Sequence, residues 1–111
     1  MIISQHIAGN KDAFINLCSK HKVAYIYAFG SSLTDNFDES RSDIDLIVHL
    51  NEPDPIKRGE NLISLWDKFE VFFHRKVDLL TESSIKNPFL KKSIDLTKVL
   101  IYDGKGKKIL I

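Results

Sequence analysis

Residues 23–50 read VAYIYAFGSSLTDNFDESRSDIDLIVHL, and the way this stretch divides decides the fold. Val23 to Phe29 is a compact run of β-branched and aromatic residues that stops at Gly30, the pattern of a buried strand. Ser31 to Ser42 is rich in Ser, Asp and Asn and reads as a short helical turn followed by a loop. Asp43 to Leu50 is a second strand, ended by Asn51, Pro53 and Pro55. On that strand side chains alternate between faces, so Asp43 and Asp45 project together while Ile44 and Leu46 point the other way.

Working outward, Asn10 is placed to cap a helix over about residues 10–21, with Phe14, Leu17, Cys18 and His21 at helical spacing. An earlier turn is expected around Ser4 to Ala8. Downstream, Leu62, Leu65, Trp66, Phe69 and Phe73 form one stripe of a helix from about Pro55 to His74. Val77 to Leu80 is a short third strand. Ser84 to about Lys92 reads as a short helix whose start Pro88 limits. Val99–Tyr102 and Ile109–Ile111 flank Asp103-Gly104, a hairpin signal. Strands alternating with helices give an α/β (α+β) protein, a small mixed β-sheet flanked by helices, as one domain over residues 1–111.

Composition sets bounds on function. Of 111 residues, 43% are hydrophobic, enough for a core without disulfide staples. Sixteen basic against fifteen acidic residues argue against a general nucleic-acid binder or an acidic tail protein. The lone Cys18 excludes an internal disulfide framework and fits a reducing cytosol. No apolar run approaches the roughly 20 residues that span a bilayer, so no membrane role is expected. MIISQHIAGNKD lacks the features of a signal peptide, and a cytoplasmic location follows as the expectation.

Three features carry chemistry. The pair Asp43/Asp45 places two carboxylates side by side, which is costly unless a cation or donors sit between them. Hard oxygen ligands opening an apolar strand suit Mg²⁺. Gly30-Ser31 follows a strand directly, where a residue without a side chain lets backbone approach a ligand and a hydroxyl suits phosphate oxygens. It is not the longer phosphate loop that ends in Lys. Asp78 interrupts the apolar run of Val77, Leu79 and Leu80, and a carboxylate there needs a cation or donors. Each feature has a plainer structural explanation alone: a wet strand start, an ordinary turn, or a salt bridge from Asp78 to Lys76 or Arg75.

Their order is more specific. FGSSLTDNFDESRSDIDLIV followed by KVDLL resembles the DNA polymerase β-like nucleotidyltransferase superfamily. The superfamily pattern is a strand, Gly-Ser, a spacer of about ten residues, Asp-x-Asp on a second strand and an acidic residue on a third. Ser42 before the Asp pair is typical too. The short chain and its ending NPFLKKSIDLTKVLIY resemble the minimal nucleotidyltransferases paired with a helical HEPN partner in toxin–antitoxin modules. The resemblance spans roughly residues 10–103.

It implies that Gly30 and Ser31, with Ser32 beside them, bind the phosphates of ATP or another nucleoside triphosphate. It implies that Asp43, Asp45 and Asp78 ligate two Mg²⁺ ions and are catalytic, with Asp78 activating the acceptor hydroxyl. The activity implied is transfer of a nucleoside monophosphate, AMP from ATP, to a hydroxyl, with an HEPN toxin as the modified partner. The alternative is an antitoxin-like binding module that neutralises its partner by contact. Its motive is a departure from the pattern: minimal members carry an Arg soon after Gly-Ser, and this chain reads Ser31-Ser32-Leu33-Thr34. Arg41, Lys57 and Arg58 are the candidate substitutes. With no acceptor domain of its own, the chain is expected to work in a homo- or hetero-oligomer. The four histidines share no zinc-like spacing. His49 lies on the Asp45 side of its strand and is expected to be structural. Trp66 and its phenylalanine neighbours are expected in the core, and GKGKK in a solvated turn.

Overall fold

The structure, a computed structural model, describes residues 2–33 and 43–111, with backbone only for Ile2, Ser31 and Ser32. Elements follow in the order α1 (Ile2–Ala8), α2 (Lys11–Lys20), β1 (Val23–Phe29), β2 (Ile44–Leu50), α3 (Pro55–Phe73), β3 (Val77–Leu80), α4 (Pro88–Thr97), β4 (Val99–Asp103) and β5 (Lys108–Ile109). Single 3₁₀ turns cover Gly30–Leu33 and Glu82–Ser84.

The five strands make one mixed sheet in the order β3-β2-β1-β4-β5. Only β2 and β3 run parallel; the other neighbours are antiparallel. The parallel pair is joined by α3, the long crossover such a pair requires. Asp54 caps α3 by accepting from the Ile56 amide at 3.1 Å, and Pro55 fills the first turn, where its missing N–H costs nothing. His74 ends the helix in a left-handed conformation.

Alternation on the strands divides the sheet into two faces. Ile26, Ala28, Ile44, Leu46, Val48, Val77, Leu79 and Ile101 are buried in one core with Ile3 and Ile7 of α1, Phe14 and Cys18 of α2, and Leu65, Phe69 and Phe73 of α3. The stripe expected on α3 is that core's second layer. Phe14 stacks on Phe69 with ring centroids 5.7 Å apart, and Tyr102 meets Phe14 edge-on at 5.8 Å. Fully burying each such ring contributes about 1.5–3 kcal/mol. His21 is buried where α2 ends and ties α2 to α3, with Nδ1 against the Leu17 carbonyl and Nε2 against Ser64 Oγ.

β3 lies at the sheet edge, and α3 satisfies its backbone at Val77. Glu70 accepts from the Val77 amide at 3.0 Å, and the Trp66 indole donates to the Val77 carbonyl. An edge strand so satisfied offers little to a strange strand.

Three local expectations are revised. The turn around Ser4–Ala8 is the helix α1. The helix expected over Ser84 to about Lys92 starts at Pro88, the residue expected to limit its start, and runs on to Thr97, with Asn87 capping it by accepting from the Phe89 and Leu90 amides. The hairpin expected after Asp103 forms and closes through Gly104–Lys107, with Lys107 at φ 50°, and its second strand is Lys108–Ile109 rather than Ile109–Ile111. Gly104 is needed there because a Cβ would strike the carbonyls of Val23 and Ala24. Among the described residues no helix is long and apolar enough to cross a membrane.

Candidate active site

The parallel register of β2 and β3 pairs Ile44 with Val77 and Asp45 with Asp78. It is set by the Ile44 amide donating to the Lys76 carbonyl at 3.1 Å. Directly paired residues share a face, so the Asp45 and Asp78 carboxyls stand side by side on the face opposite the core. On the other flank of β2 the antiparallel register pairs Phe29 with Asp45, which brings Gly30 to the same end of the sheet.

Gly30 is required twice over. Its φ is +71°, which favours glycine, and a Cβ would lie 2.5 Å from Asp45 Oδ2. The turn backbone therefore rests against the carboxylate, an approach that no side-chain-bearing residue allows.

Electrostatics mark Asp45. Partial burial, the charge of Asp78, a hydrogen bond shared with Asp78 and the charge of Asp43 push its carboxyl up to about 6. Two carboxyls share such a bond only when one carries the proton. Asp43, just before β2, leans to Lys76 with Nζ 3.9 Å from Oδ2. Asp45 and Asp78 are thus in contact, and Asp43 is within electrostatic reach of them. Among the described residues no three His, Cys, Asp or Glu side chains are set to hold a metal ion as they stand. The donor set nonetheless fits Mg²⁺: it is all carboxylate oxygen, half-buried, and short of positive charge.

The other expected residues separate. Gly30, Ser31 and Ser32 lie in the 3₁₀ turn after β1, but the Ser31 and Ser32 side chains, Arg41 and Ser42 lie outside the described residues. Arg58 donates to the Glu52 carbonyl at 3.0 Å, beyond the far end of β2, and Lys57 precedes it on α3. Neither substitutes for the cation after Gly-Ser, because the start of α3 follows the opposite end of β2 from Asp45. Lys76 is the cation that the structure places here, pairing with Asp43 rather than Asp78. Arg75 Nε donates to the Phe73 carbonyl. The sequence signal for Lys76 was its place one residue before the third strand. His49 is exposed and stacks on Tyr25 at 5.2 Å, a surface contact rather than a buried structural one. Its face continues through Tyr27, whose ring lies 4.5 Å under Lys98 Nζ.

A small mixed sheet with a glycine turn packed on a paired-carboxylate edge is the nucleotidyltransferase fold. The chain belongs to the nucleotidyltransferase domain family, whose model matches residues 14–101, and it is a nucleotidyltransferase. A Methanocaldococcus jannaschii protein named "Putative protein adenylyltransferase" is 39% identical over 79 residues, covering 71% of this chain and 76% of its own. A chain from the crystal structure of a toxin–antitoxin with AMP-PNP is 26% identical, with a TM-score of 0.58 over 85% of this chain and 73% of its own. The structure described as a putative minimal nucleotidyltransferase shares the fold at a TM-score of 0.59 and 22% identity, over 86% of this chain and 92% of its own.

Proposed function

We propose that the chain transfers AMP from ATP to a hydroxyl group on a protein, releasing pyrophosphate. The observation that carries this reading is the paired register of Asp45 and Asp78 with Gly30 packed against Asp45. The protein acceptor is suggested by the relative named as a protein adenylyltransferase, and the adenine nucleotide by the AMP-PNP complex. In this scheme Gly30 admits the β- and γ-phosphates to the turn backbone beside Ser31 and Ser32. Asp43, Asp45 and Asp78 would hold the divalent cation, two Mg²⁺ ions in the family pattern. A bound divalent cation would supply Lewis acidity to the transfer. Asp78 orients the acceptor hydroxyl and takes its proton, while Asp45 would be a ligand to the cation. The bond formed joins the acceptor oxygen to the α-phosphorus, and the bond to the bridging oxygen of pyrophosphate breaks.

The biological setting proposed is a toxin–antitoxin pair in the cytoplasm, with a helical HEPN-type toxin as the acceptor. The likeness to the toxin–antitoxin chain supports it.

The test is thermal unfolding of the chain with and without Mg²⁺ and ATP, beside Asp43→Asn/Asp45→Asn. Ligand at about a hundred times its dissociation constant stabilises the native state by roughly 2.7 kcal/mol. A Mg²⁺-dependent upward shift that the variant loses is expected. No shift in the wild type would overturn nucleotide binding by the free chain and leave neutralisation by contact as the function.

A further inference from the structure

Two helices present apolar stripes to solvent, and their charges are opposite. On α3 the residues facing away from the core are Ile56, Glu60, Ile63, Asp67 and Val71, spaced by three and four along one line. Ile56, Ile63 and Val71 are 72%, 64% and 73% exposed. On α4, whose buried residue is Ile94, the outward line is Phe89, Lys92 and Leu96. Phe89 and Leu96 are 84% and 77% exposed. Large apolar side chains standing in line on a helix mark an interaction surface.

The two lines match. Each alternates apolar and charged residues, and the apolar members lie about 10–12 Å apart, two helical turns. The charge between them is acidic on α3 and basic on α4. Glu60, Asp67 and Lys92 have no ion-pair partner among the described residues. Beside the α3 line a groove of about 290 Å³ runs between Ile63, Trp66, Glu70 and the start of β3 at Lys76 and Val77. Its size and apolar wall suit an aromatic ring.

We propose that the α4 line of one copy docks on the α3 line of a second copy of this chain. Phe89 enters the groove beside Ile63 and Trp66, Lys92 faces Asp67 or Glu60, and Leu96 covers the next apolar position. Like pairs with like poorly: two α4 lines would oppose Lys92 to Lys92, and two α3 lines would oppose their carboxylates. The contact therefore joins unlike faces: it closes as a two-fold dimer where both α4-on-α3 contacts form with one partner, and extends head-to-tail where they form with two. The groove includes Lys76, which pairs with Asp43, so docking places the second copy beside the candidate active site.

Sedimentation velocity of the full chain at low salt, from about 10 μM to about 1 mM, tests this. The weight-average coefficient should climb above that of the monomer, to a dimer or beyond, and fall back as salt rises. Lys92→Glu alone and Glu60→Lys/Asp67→Lys alone should each sediment as monomers. An equimolar mixture of the two should associate again, because each supplies the charge the other needs. Phe89→Ser should abolish association with an unchanged melting temperature, since the ring is exposed. A wild type that stays monomeric throughout, a Lys92→Glu chain that associates like the wild type, or a mixture that stays monomeric would each overturn the proposal.

Discussion

The two faces of β2 are built from alternate residues of one strand and obey opposite rules. Ile44, Leu46 and Val48 enter a core closed by three helices, where each group removed from water stabilises the fold. Asp45, on the other face, is pressed against Asp78 and the Gly30 turn, an arrangement that costs stability until a cation arrives. The core face shows how the chain folds. The carboxylate face carries a cost that the core must offset, the mark of a candidate functional site.

The contrast is broken most strongly from the core side. Phe69 is fully buried, stacks on Phe14 and meets Phe73 edge-on at 5.8 Å. Phe69→Ala should cost about 3–5 kcal/mol, read as a lowered urea midpoint with the slope unchanged. A loss below about 1 kcal/mol would mean that this core is not the one that closes the sheet. Gly30→Ala comes next. It forces a side chain into the left-handed region and into Asp45 Oδ2, and should cost about 1–3 kcal/mol together with the Mg²⁺–ATP thermal shift.

On the carboxylate face the sign reverses. Asp45 has its carboxyl raised from 3.8 to about 6 by burial and by Asp78, so between those values the folded chain holds a proton that the unfolded chain releases. Stability without metal should therefore fall as pH climbs from about 4 to about 6, and the penalty should persist above that range. Asp45 is only partly buried, and solvent screening reduces the effect to about 1 kcal/mol. Asp45→Asn should accordingly stabilise the metal-free protein at pH 7 by about that amount, measured by chemical denaturation, while abolishing stabilisation by Mg²⁺ and ATP. Destabilisation by Asp45→Asn in metal-free buffer would show that the carboxylate is a net structural asset.

Much of this was readable in the sequence where a single strand or helix face carried the signal. The bounds of β1 and β3 follow from apolar runs stopped by Gly30 and flanked by Arg75-Lys76 and Thr81. The α3 stripe follows from period alone. The pairing of Asp45 with Asp78 did not follow from spacing, because it depends on the parallel register that the crossover α3 imposes. The resemblance supplied it instead. Arg41, Lys57 and Arg58 are the candidate cations that nearness in sequence offers. Lys57 and Arg58 begin a helix that starts past the far end of β2, a tertiary fact that no local pattern encodes. Pro88 does set the start of α4, where its missing amide is no loss, and Asn87 before it is the cap that places that start past Ser84.

Lys76 sharpens the contrast with the smallest effect. Its ammonium is 3.9 Å from Asp43 but the side chain is 70% exposed, against 36% for Asp43. An exposed pair at that distance contributes little, because water and salt screen it and two side chains lose freedom. Lys76→Gln should change stability by less than about 0.5 kcal/mol, and raising salt should erase the difference. A loss above about 1.5 kcal/mol, insensitive to salt, would place Asp43 in a drier setting than its exposure indicates. The carboxylate edge would then be held by Lys76 in the absence of metal, and the strain assigned to this face would be smaller than the contrast with the core requires.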